Sequence, residues 1–156
     1  MTQNLFFREL LLFKRFCFFH IREHGIAAYK IFKGAARAEV SDYKGNKYNV
    51  TRILGASSSY DIVKFQLEEV KKATALKYAA NGANGGEPVQ VANYSTDKKQ
   101  TASAAKIESY DDYGNYRYYY VNALNTEKNF GCPVVNASGE VAAIIQKNLA
   151  KDAKKA

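Results

Sequence analysis

Between residues 38 and 145 short apolar runs alternate with compact polar breaks, the spacing expected of a molecule built from strands. Ala38-Glu39-Val40-Ser41 and Lys47-Tyr48-Asn49-Val50 flank Asp42-Tyr43-Lys44-Gly45-Asn46, which predicts a hairpin with glycine in its turn. Arg52-Ile53-Leu54-Gly55 and Ile62 to Leu67 predict two more strands. Val89 to Ala92, Ala104 to Ser109 and Tyr116 to Val121 follow, with alternation such as Ile107-Ser109 and Tyr118-Tyr120 that suits a half-buried surface. The sharpest break is Asn81-Gly82-Ala83-Asn84-Gly85-Gly86-Glu87-Pro88, a loop that divides residues 16–80 from 81–148. Glu68 to Ala80 is ambiguous: Glu69, Lys72 and the alanines favour a helix, whereas a linker with one short strand is the alternative.

The last patterned stretch runs from Gly131 to Ile145. Val134 and Val135 lead into a polar tip, Asn136-Ala137-Ser138-Gly139, and Val141 to Ile145 lead out of it. This is a hairpin with two buried arms. At the other end Leu5-Phe6-Phe7, Leu10 to Phe13 and Phe16 to Phe19 are cut by Arg8, Glu9, Lys14 and Arg15. A secretory h-region needs roughly 7–15 uninterrupted apolar residues and a spanning helix about 20, so this segment is neither. Residues 1–15 form either a basic amphipathic helix for a membrane surface or partner, or a helix packed beside a first strand at Phe16–Ile21. The second reading is preferred.

Composition supplies a core and removes one function class. Hydrophobic residues make up 47%, with 12 Tyr and 9 Phe. These aromatic β-formers reinforce the strand reading. The net charge of +8 suggests a nucleic-acid partner until it is located. Residues 1–33 carry +4 and residues 147–156 carry +3, including the basic tail 149–156, while the 113 residues between them carry +1. That body has no surplus of cations for phosphates, so no nucleic-acid partner is expected.

The Gly131–Ile145 stretch resembles the nucleophile loop and following hairpin of trypsin/chymotrypsin-like serine peptidases, Gly-x-Ser-Gly-Gly-Pro followed by Leu-Val-Asn-x-x-Gly-x-Val. Two upstream segments extend the resemblance. Ala28-Tyr29-Lys30-Ile31-Phe32-Lys33-Gly34-Ala35 is similar to the pattern around the triad histidine. Asp61-Ile62-Val63-Lys64-Phe65 is similar to the one carrying the triad aspartate. Order and spacing agree over residues 17–148. The resemblance implies an all-β, trypsin-like double β-barrel preceded by an N-terminal helix or strand. Its first barrel (16–80) is short of the usual opening strands, and its second spans 81–148. It also favours the linker over the helix at Glu68–Ala80.

On this register the chemistry is degraded. Asp61 is retained, the histidine position holds Lys30 and the nucleophile position holds Phe130. A lysine with an unperturbed pKa near 10.4 is a cation rather than a base, and phenylalanine has nothing to attack with. Lys128 stands where a glycine would shape the oxyanion hole. Cys132 is the alternative nucleophile, against the simpler reading of a small buried residue filling a wall. His20 and His24 belong to a turn-like segment. The resemblance further implies a peptide-binding cleft lined by Leu124, Lys128, Gly131, Ala142 and Ile144, in which the edge Val141–Gln146 pairs with an extended peptide.

Other chemistry finds little footing. The tyrosines around Asp111-Asp112-Tyr113-Gly114-Asn115 are expected to form a hairpin with one face on the core. Cys17 and Cys132 with two histidines give no zinc spacing, and there is no phosphate-binding glycine loop or dinucleotide fingerprint, so no metal or cofactor is expected. Asn49, Asn93 and Asn136 head glycosylation-type tripeptides. The compartment is not legible. The leading expectation is a non-catalytic serine peptidase homologue that binds a peptide or protein segment. The alternatives are an active peptidase using Cys132 and a peripheral membrane-surface protein using residues 1–15.

Overall fold

The computed structural model describes residues 17–21, 23–41, 46–70, 75–94, 100–122 and 130–146. The expectations for residues 1–15 and for the tail 149–156 lie outside these residues. Ten strands run in chain order: β1 (Cys17–Ile21), β2 (His24–Ala27), β3 (Glu39–Ser41), β4 (Lys47–Ser57), β5 (Ile62–Leu67), β6 (Pro88–Tyr94), β7 (Gln100–Tyr113), β8 (Tyr116–Val121), β9 (Pro133–Val135) and β10 (Val141–Ile144). They form two five-stranded sheets, ordered β1-β2-β5-β4-β3 and β10-β9-β6-β7-β8. Every pairing within them is antiparallel. Among the described residues β1 and β3 are not paired with each other, so the first sheet is open.

Alternation builds the first sheet's core. Along β5, Val63, Phe65 and Leu67 point inward while Ile62, Lys64 and Gln66 stay half-exposed. The inward set packs with Ala27, Ile31, Val40 and Val70. Gly25 lies opposite Phe65 across the β2–β5 pair, and a Cβ there would collide with the Phe65 ring. The glycine is therefore a requirement of packing, because the ring lies directly over its backbone. The second core gathers Ala83, Val89, Val91, Ile107, Cys132 and Val134.

Two features, the length of β4 and the surroundings of the tyrosine hairpin, differ from the sequence pattern, and at Glu68–Ala80 the structure decides between the two readings in favour of the linker. Arg52–Gly55 is not a separate strand but the middle of the long β4, whose pairing with β5 is interrupted by register shifts at Val50/Arg52 and Ile53/Gly55. Ile53 and Leu54 are exposed there, so burial supplied no pattern to read. The described parts of Glu68–Ala80 contain no helix: Val70 is buried in the first core, and Tyr78 makes a parallel bridge to Val141. The tyrosine hairpin does not lay a face on the core. Tyr113, Tyr116 and Tyr120 are exposed and only Tyr119 packs against the second core, its hydroxyl accepting the Ala83 N–H at 3.0 Å. The phenol group makes this possible, since a tyrosine can end in water while its ring rests on other rings.

Candidate functional site

The short 3-10 turn Tyr29–Ile31 follows β2 directly, and Asp61 immediately precedes β5. Because β2 and β5 are hydrogen-bonded neighbours, their ends bring Lys30 and Asp61 together. The main-chain N–H of Lys30 donates to Asp61 Oδ1 at 2.8 Å, and that of Tyr29 donates to the Asp61 carbonyl at 3.1 Å. Asp61 has φ of +49°, the left-handed region that aspartate tolerates better than most residues. Its carboxylate is thus bound to backbone, whatever side chain stands at position 30.

Phe130, Gly131 and Cys132 lie in the second barrel just before β9. Gly131 has φ of +87°, which only glycine adopts without strain. Its N–H donates to the Ile145 carbonyl at 2.9 Å, and the Ile145 N–H donates to the Cys132 carbonyl at 2.9 Å. These bonds extend the β9–β10 hairpin to the segment before β9. At the other end, Asn136 Oδ1 accepts the N–H groups of Ser138 and Glu140 and closes the turn. Phe130 is 6% exposed and Cys132 only 1% exposed, the latter within the second core. Leu124 and Lys128 lie outside the described residues.

Among the described residues three contacts join the barrels. Ile26 of β2 and Val141 of β10 form a buried cluster against which Leu76 and Ile144 pack. The segment leaving the first barrel also joins the edge of β10: Val141 donates to the Lys77 carbonyl at 2.8 Å, and its own carbonyl accepts the Ala79 N–H at 2.9 Å. Val141 therefore has no main-chain group left for a ligand. Ala142 packs against the second core and Ile144 against the inter-barrel cluster, so both contribute side chains to packing. Beside Asp61, the Tyr60 ring stacks on Tyr116 at 4.3 Å between centroids. Nothing in the sequence pattern announced that contact, since three strands, β5 to β7, lie between Tyr60 and Tyr116 along the chain.

No protein-family model matches the sequence, and no curated protein matches it. Among solved structures, the inactive form of the Rv3671c protease of M. tuberculosis superposes with a TM-score of 0.71 at 19% identity, over 86% of this chain and 72% of that one. The chain has the trypsin-like serine protease fold. Two other structures with this fold agree. The protease domain of MamO from Magnetospirillum magneticum gives 0.61 at 12% identity, over 81% of this chain and 71% of that one. The HtrA-type protease AlgW, solved with a decapeptide, gives 0.68 at 15% identity, over 81% of this chain and 40% of that one. The trypsin-like fold puts the described strands into two barrels and the chain of residues 75–80 between them.

Proposed function

We propose that this chain is a trypsin-like domain without peptidase chemistry that holds an extended peptide or protein segment. The observation that carries the reading is the bond from the Lys30 N–H to Asp61. It supports the alignment of the two positions with a triad's histidine and aspartate, and on that alignment an ammonium-bearing residue stands where a near-neutral base is needed. The same alignment gives Phe130 the nucleophile's position. Cys132, the alternative nucleophile, is 1% exposed within an apolar core, where a substrate carbonyl does not reach it.

Binding needs none of these groups. An extended segment can pair with main-chain N–H and C=O groups at a strand edge, and a structural relative, AlgW, was solved with a decapeptide. With Val141 engaged by residues 77–79, the edge for pairing is 142–146, beside Gly131. Leu124 would set an apolar preference for one side chain of the ligand.

The test joins chemistry and binding. The full chain should hydrolyse neither casein nor peptide esters and should not label with fluorophosphonates. Iodoacetamide should modify Cys132 only when the protein is denatured. A peptide array should return extended binders with one apolar side chain, lost on Leu124→Asp. Turnover abolished by Cys132→Ser would overturn the non-catalytic reading, and an array without binders would overturn the peptide reading.

A further inference from the structure

The loop from Asn81 to Pro88 contains two Asn-Gly steps, Asn81-Gly82 and Asn84-Gly85, and the function proposed above uses neither. Such a step carries its own reagents. The main-chain nitrogen of the glycine can close a succinimide ring on the side-chain carbonyl carbon of the asparagine, and glycine has no Cβ to obstruct the approach. The reaction needs that nitrogen unbonded and wet, because an N–H committed to an acceptor must first give it up. In sequence the two steps are alike; the fold makes them different.

Between residues 82 and 87 every main-chain N–H but one has an acceptor. Gly82 donates to the Ala79 carbonyl at 3.2 Å, and Ala83 donates to the Tyr119 hydroxyl at 3.0 Å. Asn84 donates to Glu87 Oε2 at 2.8 Å, and the Glu87 N–H donates in return to the Asn84 carbonyl at 3.2 Å. Gly86 donates to the Ile107 carbonyl at 2.8 Å. Among the described residues nothing accepts the Gly85 N–H. The cause is the turn itself. Asn84 and Glu87 are its ends, Gly86 with φ of +83° is its third residue, and the N–H of a turn's second residue takes no part in the closing bond. Asn84 and Gly85 are both exposed, so water reaches the side-chain amide and the nucleophile together.

We propose that Asn84 is a site of spontaneous modification, converting to aspartate and isoaspartate in the folded protein while Asn81 is protected. The Gly85 nitrogen bonds to Asn84 Cγ, the Cγ–Nδ2 bond breaks, and the side-chain nitrogen leaves as ammonia with the proton from Gly85. Water then opens the succinimide at either carbonyl and leaves a carboxylate at position 84. Opening at the main-chain carbonyl routes the backbone through the former side chain and lengthens it by one methylene. Either product sets a negative charge beside Glu87, whose carboxylate already holds the Asn84 N–H. The longer backbone starts next to Ala83, 1% exposed in the second core, so the change bears on packing as well as on charge.

The test incubates the full chain in heavy-oxygen water at mildly alkaline pH, native and in urea, then digests it in ordinary water and maps the peptides by mass spectrometry. In the native chain, label should enter residue 84 about fivefold or more faster than residue 81, since the Gly82 N–H must first leave its bond. In urea, where the turn is lost, the two rates should converge. Gly85→Ala should slow labelling of residue 84 in both solvents. That variant is expected to fold, because Gly85 lies outside the left-handed region and an added Cβ would come no nearer than 3.9 Å to the Glu108 carbonyl. The native and urea comparison on the unaltered chain decides the matter even if the variant folds poorly. Equal labelling of 81 and 84 in the native chain, faster labelling of 81, or no native labelling of 84 when the urea sample is labelled would overturn the proposal. So would a folded Gly85→Ala chain labelled as fast as the parent.

Discussion

The Lys30–Asp61 corner and the Phe130–Cys132 corner are built in opposite ways. The first is a surface arrangement: Lys30 is exposed, Asp61 half-buried, and the bonds joining them come from main-chain N–H groups. The second is interior, with Phe130 and Cys132 buried and Gly131 turning the chain between them. A corner held by backbone can change its side chains without moving, because the bond donor is common to nearly all residues. A corner that is part of a core is constrained by volume, and every atom there touches others. The two corners should therefore differ sharply in how they tolerate the residues a triad would need.

The largest expected effect comes from placing serine at the buried corner. Phe130→Ser removes a nearly buried ring and should cost about 3–5 kcal/mol, read as a lowered urea midpoint with a similar slope. Lys30→His at the exposed corner should stay within about 0.5 kcal/mol of the parent. Equal losses would break the comparison, since they would mean that Lys30 is as tightly packed as Phe130.

A smaller effect probes what holds the exposed corner. Asp61→Asn keeps a side-chain acceptor and tolerates the positive φ, so Lys30 amide exchange should remain protected. Asp61→Leu loses the acceptor and strains the backbone, at about 1–2 kcal/mol for the left-handed conformation alone. Faster exchange at Lys30 in the leucine variant only is the expected reading. Equal exchange in both would remove the carboxylate from the account.

The smallest effect uses the far end of β5 as a control. There Glu68 accepts the Asn49 N–H at 2.8 Å and also its side-chain amide. The main-chain bond first, and the side-chain bond second, hold the Glu68 carboxyl below its ordinary value. A lowered folded-state pKa stabilises fully above the unfolded value of about 4.3 and is lost as pH falls through the lowered one. Replacing Glu68 by Gln should lower stability slightly near neutrality and flatten the acid limb, so that the two stability curves converge at low pH. A difference that persists undiminished in acid would assign Glu68 a role other than this titration.

How much of this was legible follows from which signals the residues carry. Ile62–Leu67 alternates cleanly because one side faces a core, and the strand begins and ends where the pattern does. Tyr116–Val121 was equally visible as a strand, yet its environment was misread, since a tyrosine scores as apolar whether its ring meets a core or another ring. The length of β4 was hidden because residues 51–56 are exposed on both faces and its pairing shifts register twice. The closeness of residues 30 and 61 came only through the resemblance, as no local property of either residue points to the other. The engagement of Val141 by Lys77–Ala79 was beyond reach, because main-chain bonds between distant segments leave no mark on side-chain pattern.

That last pairing has a mechanical consequence. A slack tether would let the two barrels drift under load, but here the connecting strand is stitched along the rim of the second barrel by both main-chain groups of Val141. Those bonds belong to a parallel bridge and slant across it, so a pull along the chain loads both of them together. The connector behaves as a splice: force entering one barrel reaches the other through the sheet edge, and the Ile26–Val141 contact sits under the same stitch. Domain separation under tension should then begin with rupture at Val141, before either core yields.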